Sequence, residues 1–386
     1  MSAAFQFELI ATSGGARRGR LRLAHGDVET PAFMPVGTRA AIKGVTLGDV
    51  EALGADIILA NTYHLHLRPG DDLIARAGGL HRFMAWPRPI LTDSGGYQVF
   101  SLAERRKLSE DGVTFQSHLD GRALVLSPES AVDIQWRLGA DVAMMFDECP
   151  SWPAAHDAAE AAMARTVRWA QRGRDRFLAL SEGRVADIPA STPGQAQFGI
   201  IQGSTFKDLR DRSVAGTVAV GFEAYAIGGL SVGEPTEDMY AVTAHTAAQL
   251  PADRPRYLMG AGMPDDLIES VARGIDLFDC VLPTRNARNG QLFTRTGPIA
   301  IKNARYAEDP LPPDPDCGCP TCRRYSRAYL RHLFMAGEMT AATLNTLHNL
   351  YFYLDTMRQI RKAIEFGTFD SFRKTFLETY SRRSSA

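Results

Sequence analysis

DVAMMFDEC (residues 141–149) is the stretch on which the fold turns. Val142 to Phe146 run apolar without alternation, and the chain becomes acidic at Asp147. A strand with one wet face would alternate, whereas a short unbroken run reads as a strand covered on both sides, as parallel strands are. The same texture recurs along the chain. ADIILA (55–60) leads into NTYH and PILTD (89–93) into SGGYQ; FGIIQGS (198–204), AYAIGGLSVGE (224–234), RYLMGAG (256–262) and IDLFDCVLPTR (275–285) follow. Helical patterns lie between these runs. Ser127-Pro128-Glu129 opens one that continues through Leu138, with Pro at the first helical position and Gly139 closing the end. Residues 154–180, 206–219, 235–250 and 264–273 repeat the theme. Strands alternating with helices imply an α/β protein with a parallel sheet, and seven or eight such units make a (β/α)8 TIM barrel. An open doubly wound sheet is the rival, but no G-x-G-x-x-G follows the first strand.

The chain has 386 residues, 45% hydrophobic and 23% charged, which is ordinary globular composition and excludes a disordered or fibrous protein. The 43 Lys and Arg nearly cancel 44 Asp and Glu, and a net charge of −1 excludes a strongly basic nucleic-acid coat but not a local basic patch. MSAAFQFELIATSGGARRGR at the N-terminus has no apolar core of signal-peptide length, and no stretch reaches the roughly 18 uncharged apolar residues of a membrane span. A cytoplasmic protein with no membrane partner is the expectation.

After about residue 302 the texture turns Pro-rich (DPLPPDPD), then Cys-rich, then basic and helical. Cys317-x-Cys319-x2-Cys322 is followed by His348 in the helical pattern MTAATLNTLHNLYFY, with His332 as the competing fourth ligand. Three thiolates and an imidazole are a full tetrahedral set for zinc, with no position left for water, so the expected Zn2+ is structural. Residues 340–365 and 369–380 read as two further helices ending in a polar tail. The expected organisation is a barrel core over 1–302, a zinc-binding subdomain over 303–350 and C-terminal helices over 351–386.

In a barrel, the C-terminal ends of strands converge on the active site. Those ends carry Asp93, Asp147, Gln202, Gly228-Gly229-Leu230, Gly260 and Asp279. Any one acid alone suits a loop or cap; together they suggest a polar pocket under Gly-rich loops. Paired carboxylates suit a reaction at a glycosidic carbon, one as nucleophile and the other moving a proton. Gly95-Gly96 and Gly228-Gly229 would let a ligand approach the backbone, and Tyr97 and Met259 could sandwich a planar base. From Arg273 to Arg331 the chain carries a net +4, and Thr284-Arg285-Asn286-Ala287-Arg288-Asn289-Gly290 directly follows the Asp279 strand. Arg and Asn there suit phosphates and unstacked bases, although a solvated face would look the same. Two rival functions remain. His64-Leu65-His66 with Asp279 suggests a barrel metal hydrolase, for which the middle strands supply no further His or Lys and only His118 stands by. A non-catalytic RNA-binding subunit would lack the acids, but Asp93, Asp147 and Asp279 all stand.

TPAFMPVGT (30–38), ADIILANTYHL (55–65), LTDSGGYQVFSL (91–102), GIIQGS (199–204), YLMG (257–260), FDCVLPTRNARNG (278–290) and CGCPTC (317–322) closely resemble the bacterial queuine tRNA-ribosyltransferase (tRNA-guanine transglycosylase) family, over nearly the whole chain. The resemblance implies a TIM barrel with an inserted zinc subdomain. It implies exchange of the wobble guanine (position 34) of GUN-anticodon tRNAs for 7-aminomethyl-7-deazaguanine (preQ1), in queuosine biosynthesis. Asp279 would attack the ribose anomeric carbon and form a covalent RNA intermediate. Asp93 would serve as general base on the incoming base. Asp93, Ser94, Gly95, Gly96, Tyr97, Asp147, Gln202, Gly229, Leu230 and Met259 would bind that base. Gly260, Ala261, Gly262, Met263, Pro264, Asp265 and Asp266, with Thr284, Arg285, Asn286, Ala287 and Arg288, would touch RNA. Cys317, Cys319, Cys322 and His348 match the family's zinc ligands, one ion per subunit, and a homodimer is implied. Val232 and Cys149 fit the bacterial form; Ser231 departs toward the eukaryotic pattern, and Met263 stands where bacterial members commonly have Lys.

Overall fold

The computed structural model describes residues 5–102, 106–185, 188 and 192–380; the polar tail expected after 380 lies outside them. Three antiparallel strands come first, β1 (Gln6–Ser13), β2 (Ala16–Leu23) and β3 (Gly26–Thr30). The barrel begins with β4 (Ala32–Gly37), β5 (Ile58–Ala60) and β6 (Ile90–Thr92). A second antiparallel sheet, β7 (Arg106–Leu108), β8 (Val113–Gln116) and β9 (Ala123–Leu126), is inserted after β6. The barrel resumes with β10 (Val142–Met144), β11 (Ala196–Ile201), β12 (Ala224–Ile227), β13 (Arg256–Leu258) and β14 (Leu277–Cys280). It closes through parallel pairing of β14 with β4 and of β6 with β10, a complete eight-stranded (β/α)8 barrel. The hairpin β15 (Gln291–Thr294) and β16 (Gly297–Ala300) then leads into the Cys-rich segment.

Each of the seven apolar runs supplies one barrel strand, and most strands are shorter than their runs. In DVAMMFDEC the strand covers only Val142–Met144, while fully buried Met145 and Phe146 continue as covered loop. The eighth strand, AFMPVG (32–37), lies in one of the family-like strings but carries no strand signal. It holds Pro35 and a single β-branched residue, yet all six positions are buried. Strand β2, ARRGRLRL, was equally illegible. Its Arg17 and Arg18 are buried, and ion pairs to Asp276 and Glu29 make that tolerable.

The helix Pro128–Leu138 starts and stops as its residues dictate: the Ser127 hydroxyl accepts the Ser130 N–H at 3.1 Å, and Gly139 takes φ +69°. Helix His156–Ser181 lines the outside of the barrel against Pro128–Leu138 and Lys207–Val220. Helix Met339–Glu365 runs through the boundary expected at 350, from the Cys-rich knuckle to packing contacts with β1, β2 and β4. Among the described residues no helix is long and apolar enough to cross a membrane.

Candidate active site and metal centre

Burial on both faces forces the chain to become polar only where each barrel strand ends, so the first polar residues past the strands meet at one mouth. Asp93 follows β6, Asp147 lies three residues beyond β10, Gln202 follows β11, Gly228 follows β12, Met259 follows β13, and Asp279 sits within β14. A cavity of about 640 Å³ is lined by Asp93, Ser94, Tyr97, Asp147, Gln202, Gly229, Leu230, Met259 and Asp279. Gly260, Gly262, Met263, Asp266 and Arg285 line its rim.

Asp93 is held by neutral donors. Thr62 N–H and Gln98 Nε2 donate to it, each at 2.7 Å, and Asn61 Nδ2 donates to the same carboxylate. Burial pushes its carboxyl up to about 6 against those hydrogen bonds, and the nearby Asp279 charge adds to the rise. Asp147 is likewise raised to about 6 by burial, with Gln202 Nε2 at 2.7 Å and Ser94 Oγ at 3.3 Å. Asp279 is raised by burial as well; its Oδ1 accepts from Tyr257 Oη at 2.5 Å and Gly260 N at 2.9 Å. Its Oδ2 receives no donor among the described residues.

Two glycines are dictated by this geometry. A Cβ on Gly229, at φ +67°, would stand 2.3 Å from Gln202 Oε1, and one on Gly96 would stand 2.8 Å from the Asp147 carbonyl oxygen. Gln202 Oε1 is itself buried without a partner among the described residues, an acceptor left for a ligand. Tyr97 is 53% exposed at the mouth, with room for a ring to lie on it.

The other residues of the expected RNA surface are distributed unevenly. Thr284 and Ala287 are buried in the helix Leu282–Arg288, Asn286 Nδ2 donates to Gln291 Oε1 at 2.7 Å, and Arg288 donates to the Thr284 carbonyl at 2.8 Å. Ala261 and Pro264 are buried, and Asp266 accepts from Tyr240 Oη at 2.6 Å. Sequence reasoning missed Asn61, Gln98, Tyr257 and Glu234. Glu234 lines the same cavity and accepts the Ser231 and Val232 N–H groups. Their signal was faint: Asn61 and Tyr257 sit within a residue of a strand end, Gln98 and Glu234 six and seven residues past one, and all are of types that loops and cores use freely.

His64 and His66 diverge. His64 lines the cavity with an Nδ1 that has no partner among the described residues, while His66 bonds Asp71 at 2.7 Å. Burial and the charges of Arg39, His118 and Lys43 hold His64 down at about 4. His118 is engaged by Tyr63 Oη at 2.9 Å. Among the described residues no metal-ligand cluster contains His64, His66 or His118, which removes the metal-hydrolase reading.

The four ligand atoms of Cys317, Cys319, Cys322 and His348 lie within 4.8 Å of one another, and the sulfurs stand 3.8, 3.4 and 3.3 Å from His348 Nδ1. His348 Nε2 lies 2.8 Å from the Phe293 carbonyl oxygen, so it carries the proton and leaves the Nδ1 lone pair for an ion. His332, on the helix Arg327–Met335, is not in the group. Three sulfurs and one imidazole nitrogen around one point fit a closed tetrahedral metal site.

The family described as Queuine tRNA-ribosyltransferase matches residues 12–382. The chain is similar to the Queuine tRNA-ribosyltransferase of Aromatoleum aromaticum (strain DSM 19018 / LMG 30748 / EbN1), at 57% identity over 95% of this chain and 96% of the relative. It is also similar to those of Shewanella sp. (strain ANA-3) and Shewanella frigidimarina (strain NCIMB 400), each at 54% identity over 98% of both chains.

Proposed function

The chain belongs to the queuine tRNA-ribosyltransferase family, and from that premise we propose that it is a tRNA-guanine transglycosylase exchanging guanine 34 of GUN-anticodon tRNAs for preQ1. The observation that carries this reading is the shared cavity of Asp93 and Asp279, near enough for one charge to act on the other. A glycosidic bond inside a stacked helix is out of reach, so the target nucleotide must be turned out into that cavity. Asp279 Oδ2 forms a bond to the ribose anomeric carbon, and the bond to guanine N9 breaks with its electron pair going to the base. Tyr257 and Gly260 hold Oδ1 while Oδ2 attacks, and they stabilise the carboxylate when it leaves again. The deazaguanine then displaces Asp279, and Asp93 takes its N9 proton. A carboxyl titrating near 6 can accept and release that proton at neutral pH.

Asp147, Gln202, Gly229 and Leu230 would read the edge of the base, with Tyr97 and Met259 against its faces. Gly95 and Gly96 would let that base approach. Arg285 and Arg288 would hold flanking phosphates, with Gly260, Met263, Asp265 and Asn286 completing the RNA contact, whereas Ala261, Gly262, Pro264, Asp266, Thr284 and Ala287 are buried and would only shape that surface. The Cys317, Cys319, Cys322 and His348 group would hold one structural Zn2+ per subunit, which ties the loop of Cys317, Cys319 and Cys322 to the helix Met339–Glu365. A homodimer would cover the exposed Tyr329, Met335 and Met339 beside that knuckle. Incubation with labelled guanine and unmodified tRNA tests the reading: label enters the RNA at one position, and a covalent adduct survives a denaturing gel. Release of free base without incorporation would replace it with a hydrolase.

A further inference from the structure

Strand β13 and the helix that follows it are joined by a turn, Gly260-Ala261-Gly262, that carries one of the two donors to Asp279. Before the turn, the Met259 N–H donates to the Ile227 carbonyl at 3.2 Å; after it, the Met263 carbonyl accepts the Leu267 N–H at 3.0 Å. A segment with no ladder of its own keeps its shape only through bonds to its surroundings. Among the described residues the turn has two. Gly260 N–H donates to Asp279 Oδ1 at 2.9 Å, and the buried Gly262 carbonyl accepts from Tyr353 Oη at 2.5 Å. Under the reading above, the first ends on the carboxylate that bonds to a sugar carbon and leaves it again, so it is no fixed anchor. The second joins the turn to a different part of the fold.

Tyr353 is itself held fast. It is 1% exposed, and its ring centroid lies 4.8 Å from that of Phe33 and 5.3 Å from that of Phe293. Phe33 belongs to β4, the strand paired with the nucleophile's own β14. Burial, with the charges of Cys280, Asp265 and Asp266 nearby, pushes the hydroxyl well above its ordinary range, so it stays a donor. The turn is also seated tightly from the other side, since a Cβ on Gly262 would stand 2.4 Å from Cys280 Sγ. Tyr353 shares a helix face with Asn345 and Asn349, four and eight residues back. Those amides donate to the Ala287 carbonyl at 3.2 Å and the Pro283 carbonyl at 2.9 Å, so the whole face grips the mouth.

We infer that Tyr353 is a positioning residue for the transfer reaction: through the Gly262 carbonyl it aims the Gly260 N–H at the nucleophile Asp279. The inference rests on the transglycosylase reading above. Tyr353 touches no reacting atom. Without its hydroxyl the turn is free to swing toward solvent, and Asp279 Oδ1 keeps Tyr257 as its one fixed donor.

The test compares the parent chain with Tyr353→Phe, which keeps the ring, and with Thr356→Val. The Thr356 hydroxyl, in the same helix, donates to the Phe352 carbonyl at 2.8 Å and has no part in the turn. All three are studied at a temperature where circular dichroism shows them folded. With enzyme in excess over unmodified tRNA, adduct formation on denaturing gels should be about tenfold slower in Tyr353→Phe and within about twofold of the parent in Thr356→Val. The KM for labelled guanine should stay within about twofold in both, because the base pocket is untouched. Hydrogen exchange read by mass spectrometry should be about tenfold faster in the peptide holding Gly260–Gly262 of Tyr353→Phe alone. An unchanged adduct rate or unchanged exchange in Tyr353→Phe would overturn the inference. So would equal slowing in Thr356→Val, or a Tyr353→Phe chain that does not fold, which would make the hydroxyl a support of the core. A parent chain that forms no adduct overturns the transglycosylase reading itself, whereas equal adduct rates in parent and Tyr353→Phe overturn only this inference.

Discussion

The two ends of the barrel use the same residue types for opposite purposes. At the lower end, Asp141, Glu223 and Asp276 each stand just before a strand, and each accepts the first free N–H of a neighbouring one. Ile90 donates to Asp141 at 2.9 Å, Gln197 to Glu223 at 3.0 Å and Arg256 to Asp276 at 2.8 Å. Cations or imidazoles take the rest of each acid: His25 and His81 on Asp141, Arg174 on Glu223, Arg17 on Asp276. At the mouth, Asp93, Asp147 and Asp279 meet only amides, hydroxyls and backbone N–H groups among the described residues. Neutral donors fix a carboxylate in place without cancelling its charge, which leaves it able to bond to carbon or take a proton. A paired acid is a staple; an acid among neutral donors is a reagent.

Asparagine at 279 should give the largest break. Asp279→Asn is expected to lower exchange by about 10⁴-fold and abolish the adduct on denaturing gels while folding normally. Retained exchange would show that the mouth does not depend on that charge. At the other end, Asp141→Ala strands two imidazoles, stacked 3.5 Å apart, and two N–H groups. It should cost about 3–5 kcal/mol in chemical denaturation and leave the rate of the folded fraction within about twofold. A rate loss comparable to that of Asp279→Asn would erase the division between the ends. Tyr257→Phe removes one of two donors to Asp279 Oδ1 and is expected to slow single-turnover breakdown of the adduct by about 10–100-fold, corresponding to about 1.5–3 kcal/mol. An unchanged rate would mean that Gly260 alone suffices.

The smallest effect concerns pH and stability. For Asp93 and Asp147, burial lifts the folded carboxyl above its unfolded value, so between about pH 4 and 6 the folded state binds the extra proton and stability falls as pH rises. Asp93→Asn should therefore raise stability at pH 7 by on the order of 1–2 kcal/mol, a gain that disappears below about pH 4. Activity should fall off on the acid side near pH 6 as Asp93 protonates. Asp141 has the opposite sign. Burial raises it, but the His25 and His81 hydrogen bonds win and hold it at about 2, so its contribution is present above about pH 4 and is lost as pH falls through 2. Equal pH profiles for Asp93→Asn and Asp141→Asn would contradict the contrast.

Much of this was legible in the linear chain. Unbroken apolar runs marked seven of eight barrel strands, because burial on both faces permits nothing else. Cys317, Cys319, Cys322 and a helical His announced a tetrahedral quartet, since ligand chemistry constrains residue type directly. Acids at the C-terminal ends of three strands, Asp93, Asp147 and Asp279, marked the mouth, because a parallel barrel lines up its strand ends. The rest required the folded chain. Nothing local separates Asp141 from Asp147: they sit at the two ends of one run, and their difference lies in His25 and His81 on one side and Ser94 and Gln202 on the other. His348 was separated from His332 by where two helices point, and Tyr257 was tied to Asp279 across neighbouring strands. Composition and period depend on one segment at a time. Charge state and reactivity depend on what surrounds an atom within a few ångströms, and those neighbours come from everywhere in the sequence.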